Sequence, residues 1–109
     1  MTNSLVIMQG TLDLLILRAL AIEPVHAWGI GARIRRMSGD NFKLGQGSVF
    51  PAVQRFENRG WVASYWKTTE NNRIARYYEL TATGRHALVA ETERWRRYAA
   101  VIERIIAAE

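Results

Sequence analysis

Apolar residues recur at helical spacing from Leu12 onward. Leu12, Leu15, Ile16, Ala19 and Leu20 fall on one face of a helix. Thr11 is placed to cap it, and Asp13 in the first turn complements the helix dipole. Leu14 and Leu17 widen the apolar arc, which predicts burial on two sides, and a second subunit is one way to supply the second. Glu23-Pro24 stops the helix. A second helix is predicted over about 27–38, with Ala27, Ile30, Ile34 and Met37 inward and Arg33, Arg35 and Arg36 largely outward. Gly39 supplies its stop.

After a turn at 40–46, the stretch GSVFPAVQRFENRG places Val49, Ala52, Val53 and Phe56 on a third buried face. With Gly47 or Ser48 as its cap, Pro51 falls near the helix start, where a missing N–H costs little. Phe50, Gln54, Arg55 and Asn58 lie opposite. WVASYW and IARYYEL are rich in aromatic and branched residues and flank KTTENNR, which predicts a β-hairpin with a polar tip. Thr81 caps a last helix running to about Ala107. Within it Leu88, Thr92, Trp95, Ala99, Ile102 and Ile106 repeat at 4-3-4-3-4, the rhythm of a coiled-coil seam.

Three helices followed by a hairpin predict a mainly α fold with a small β wing. This is a winged helix-turn-helix over 1–80, plus a long dimerisation helix over 81–109, in one compact domain. The third helix is then the reading helix. Its polar face suits base edges, since glutamine pairs with adenine and arginine with guanine.

Composition sharpens this. The 109 residues fit one domain, and the net charge of +5 favours an anionic partner. Only Lys43 and Lys67 are lysine; the other basic residues are arginine, either for forked phosphate and guanine contacts or through codon bias. The absence of cysteine excludes disulfides and thiolate chemistry. No apolar run reaches the roughly 18 residues that span a bilayer. MTNSLVIMQG has no basic segment of a secretory signal, so a cytoplasmic protein is expected. His26 and His86 have no ligand partners at metal spacing, and no nucleophile or phosphate-loop motif is present, so no enzyme, cofactor or metal is expected. His26 reads as a cap or packing residue, His86 as exposed.

QGTLDLLILRAL from Gln9, HAWGI, GSVFPAVQRFENRGW and NNRIARYYELTATGR, in that order, resemble the PadR family of bacterial transcriptional regulators. The resemblance extends to about Ile106. Phe50 stands where the family usually has tyrosine, and His26-Ala27-Trp28 where it often has His-Gly-Tyr. The chain is similar to the short-tailed branch. The resemblance implies a homodimeric DNA-binding repressor responsive to small, often aromatic, molecules.

The DNA-binding candidates are Ser48, Phe50, Pro51, Gln54, Arg55, Asn58, Arg73 and Arg76. Arg73 and Arg76 would flank the wing tip and meet phosphate or a narrow minor groove. Leu12, Leu15 and Ile16, with the seam residues of the last helix, are the dimerisation candidates. Trp95 either packs in the dimer core or lines a ligand pocket. Phe50 meets sugar or a thymine methyl, or else packs on the wing or on Asn41-Phe42. A protein-interaction module and a non-specific DNA-binding protein are the alternative functions.

Overall fold

The structure is a computed structural model that describes residues 5–8 and 10–109. Gln9, where the family resemblance opens, and residues 1–4 lie outside the described residues. Helix α1 spans Leu12–Ile22, strand β1 Val25–His26 and helix α2 Ala27–Met37. Helix α3 spans Gln46–Asn58, strands β2 and β3 Val62–Thr68 and Ile74–Leu80, and helix α4 Ala82–Ala107.

The apolar faces of α1, α2 and α3 meet in one core. Phe56, Ile16, Leu17, Leu20, Ile30, Val49 and Val53 are its largest fully enclosed side chains. Leu17 therefore serves the protomer's own core and does not mark a second buried side. Ile16 is likewise 0% exposed, so it has no surface left for a partner subunit. Leu12 and Leu15 keep partial exposure. Thr11 occupies the cap position of α1, but its hydroxyl donates to the Met8 carbonyl at 2.7 Å and accepts no amide.

Two expectations for α2 fail. Met37 is half exposed, and Arg33 is buried, 7% exposed. The Arg33 guanidinium donates to the carbonyls of Ala19 and Glu23 at 2.8 and 2.9 Å, and to the Glu23 carboxylate at 3.2 Å. These carbonyls end α1 without helical donors, and the arginine fork supplies them. His26 is a cap: its Nδ1 accepts the Gly29 amide at 3.0 Å. Gly39 and Asp40 leave α2 in the left-handed region, with φ of +60 and +66°.

The sheet is antiparallel in the order β1-β3-β2. Strand β1 pairs Val25 with Tyr78 and His26 with Tyr77, which ties the wing root to the start of α2. The wing turn closes between Thr69 and Arg73, with Asn72 at φ +60°.

Helix α3 begins two or three residues earlier than the sequence suggests. Gly45 is its cap, and Pro51 is the sixth helical residue. Proline here leaves the Gly47 carbonyl without its helical donor. Both residues are exposed, so water can meet that carbonyl. The helix closes after Asn58 with Arg59 as its cap, and the φ of +74° at Gly60 allows the Gly60 and Trp61 amides to bond the Glu57 and Phe56 carbonyls. Thr81 then caps α4 by accepting the Gly84 amide at 3.0 Å while its hydroxyl donates to the Gly60 carbonyl.

Candidate nucleic-acid interface

The buried residues of α3 are Val49, Ala52, Val53 and Phe56. Ser48, Phe50, Pro51, Gln54, Arg55 and Asn58 are all exposed. At helical pitch, Gly47, Pro51, Gln54 and Asn58 form the row farthest from the core. Phe50 and Glu57 lie on the edge toward the wing, Ser48 and Arg55 on the edge toward α1.

An ion pair holds each edge. Arg55 Nη2 lies 2.6 Å from the Asp13 carboxylate of α1. On the other edge, Arg76 Nη2 lies 3.1 Å from the Glu57 carboxylate. Ser64 completes that cluster, accepting from Arg76 Nε at 2.8 Å and donating to Glu57 at 3.0 Å. Arg76 thus faces α3 from within the wing and does not flank the tip. Arg73 does lie at the tip, exposed, with no ion pair among the described residues. The central row of α3 is left to Gln54 and Asn58.

The sequence reading missed several features of this face. Asp13 and Glu57 carry no local mark of their arginine partners, which come from distant chain segments. Trp66 and Ile74, 68 and 73% exposed, share the wing face that carries Ser64 and Arg76. Exposed Trp28, with Arg35 and Lys43, lines a cleft beside the N-terminus of α3. A tryptophan followed by a charge-bearing helix was the available signal for that cleft.

The α4 seam divides in two. Leu88 packs on the protomer's own core, and the Thr92 hydroxyl turns back to the Leu88 carbonyl at 2.7 Å. Ala99 and Ile102 are half-buried, while Ile106 is exposed. Trp95 stacks with Tyr98, ring centroids 6.4 Å apart. Both line a cleft of about 330 Å³ with Met8, Thr11 and Leu14, and Glu91 and Arg94 also border it. An adjoining groove shares Met8, Gly10, Glu91 and Arg94 with this cleft and reaches Asp13, Ser48 and Arg55. His86 is exposed.

A three-helix core, a hairpin wing and an outward polar row on the third helix define a winged helix-turn-helix protein. Comparison with known proteins gives the particular family. The pattern of the transcriptional regulator PadR-like family matches residues 16–90. The chain belongs to that family, whose members are DNA-binding transcriptional regulators and not enzymes. A transcriptional regulator from Clostridium thermocellum superposes with a TM-score of 0.79 at 24% identity, over 88% of this chain and 93% of that one. A PadR-like regulator from Bacillus cereus gives 0.79 at 20% identity, over 93% and 96%. A Streptococcus mutans structure gives 0.80 at 22% identity, over 97% and 93%. Among the described residues, no helix is long and apolar enough to cross a membrane.

Proposed function

We propose that this chain is a homodimeric repressor that binds a pseudo-palindromic operator in the cytoplasm and is released by a flat aromatic effector. Residues 1–80 form the DNA-reading region and 81–109 the dimerisation helix. The observation that carries the reading is the outward row of α3, with Gln54 and Asn58 at its centre and an ion pair at each edge. Amide side chains on a helix pair with base edges in the major groove. Arg55, on the edge, meets the DNA backbone, and Arg73 carries the wing onto phosphate or the minor groove.

The C-terminal half of α4 supports the dimer. Val101, Ile105 and Ile106 are exposed along one helix, together with Tyr98. A second copy covers such a stripe. The Trp95–Tyr98 cleft supports the effector, because stacked rings with a polar rim suit a flat molecule.

The test is binding of the protein to its own upstream DNA against a scrambled duplex, by fluorescence anisotropy at about 150 mM salt. A preference of ~10³-fold or more is expected. Equal weak binding there, followed by failure to enrich any sequence from random DNA, overturns the repressor reading. Flat aromatic compounds are then titrated into the complex, and release with a change in tryptophan fluorescence that Trp95→Phe lacks is expected; an unchanged response in that variant overturns the effector site.

A further inference from the structure

The Asp13–Arg55 pair is poorly explained by stability. The two side chains are 28 and 45% accessible, and exposed ion pairs of this kind stabilise a fold very little. Its geometry is nevertheless specific. Nη2 of Arg55 donates to Asp13 Oδ1 at 2.6 Å, across 42 residues of sequence. A guanidinium has five N–H donors in a rigid fork, so this bond fixes its orientation and leaves the other donors free. Arg55 shares its edge of α3 with Ser48, two turns earlier, and both line one open groove. Asp13 itself sits in the first turn of α1, where the helix dipole favours its charge.

Resting on the reading that α3 meets DNA, we propose that Asp13 is a positioning residue that presents Arg55 to a DNA phosphate. Without Asp13, the arginine would enter the complex from many rotamers and lose that freedom on binding. Fixing one such side chain in advance is worth about two- to tenfold in affinity. A phosphate is the target because Arg55 projects from the edge of the reading face, while Gln54 and Asn58 hold its centre.

The experiment measures binding of the full chain, across a range of salt, to the duplex that it enriches from random DNA. Wild type is compared with Asp13→Ala, Asp13→Asn, Arg55→Ala and the Asp13→Ala/Arg55→Ala double variant, with Gln54→Ala as a control on α3. Thermal melting of each variant separates binding from folding. Arg55→Ala is expected to weaken binding and lower the salt slope by about one. Asp13→Ala should weaken binding about two- to tenfold alone and add nothing to Arg55→Ala. Asp13→Asn keeps a carbonyl acceptor and should recover most of the loss. Additive losses, or tighter binding by Asp13→Ala, overturn the proposal; the latter would make Asp13 a restraint that competes with DNA. No effect of Arg55→Ala while Gln54→Ala weakens binding overturns it and leaves the α3 reading intact. No effect of either variant overturns both.

Discussion

Gly84 lies so close to Trp61 that a Cβ built on it would sit 2.0 Å from the Trp61 carbonyl oxygen. The first turn of α4 therefore packs directly on the backbone where α3 hands over to the wing. Thr81 reinforces the junction by capping α4 and bonding the Gly60 carbonyl. The Trp61 carbonyl also accepts the Thr81 amide, at 3.0 Å. Helix α3, the wing and α4 meet at this one point.

Gly84→Ala must then move α4 or break the junction. A loss of about 1–3 kcal/mol is expected, the usual range for overpacking a close contact. Urea unfolding measures it. A variant as stable as wild type would mean that α4 shifts freely on the wing root.

Gln54 and Arg73 should respond differently to removal. Gln54→Ala is expected to cost about 1–3 kcal/mol on the preferred operator and to relax selectivity at one base position. Arg73→Ala should weaken all duplexes alike and lower the salt slope by about one. Anisotropy titrations on a set of single-base operator variants separate the two. Uniform weakening by Gln54→Ala would remove it from base recognition.

Arg33→Ala should destabilise the protomer although its neighbours Arg35 and Arg36 tolerate the change. The substitution strips donors from the Ala19 and Glu23 carbonyls and leaves a gap between α1 and α2. About 2–3 kcal/mol is expected for the lost charge-assisted bonds. Arg33→Lys should recover only part, because an ammonium cannot reproduce the fork. Denaturant titration of the three arginine variants tests the contrast.

These arginines show where sequence reading reaches its limit. Arg33, Arg35 and Arg36 look alike in GARIRRM, although helical spacing sets only Arg35 and Arg36 clearly outward and leaves Arg33, three residues after Ile30 and four before Met37, at the margin of the apolar face. What buries Arg33 is the end of α1, whose carbonyls lack donors, and that neighbour is a tertiary fact. The same holds for Asp13 with Arg55 and for Glu57 with Arg76. Strand β1 has only two residues, too few for any alternation to show. By contrast, the buried face of α3, the hairpin and the Thr81 cap depend on residues close in sequence, and they were legible. Pro51 lies between these cases. Its exposed position was readable, but the helix start at Gln46 depends on a turn with no side-chain cap.

Tyr78 gives the fold an alkaline limit. Burial raises its phenol above the ordinary tyrosine value; the positive charge of Arg76 opposes this and Glu57 adds to it. The neutral phenol is thus favoured in the folded chain. The stability it contributes is present below about pH 10, the unfolded value, and is lost as pH rises through the higher folded one. Unfolding free energy should fall above pH 10 in wild type and fall less in Tyr78→Phe. Parallel pH profiles for the two proteins would assign the alkaline loss to other groups.

The exposed stripe of α4 makes a separate prediction about assembly. Val101, Ile105 and Ile106 contribute little to the protomer, since each leaves much of its surface open to water. Ile105 is 68% exposed, so Ile105→Glu places a charge where the isolated protomer accepts it readily. In a dimer the same charge would be buried without a partner, at a cost of several kcal/mol per interface. Light scattering across a dilution series should show a dimer for wild type and a folded monomer for Ile105→Glu, with unchanged helical circular dichroism. Operator affinity should then collapse, because two reading helices are no longer held about one DNA turn, ~34 Å, apart. A variant that stays dimeric would move the interface off this stripe, and a wild type that is monomeric at all concentrations would remove the dimer from the proposed function.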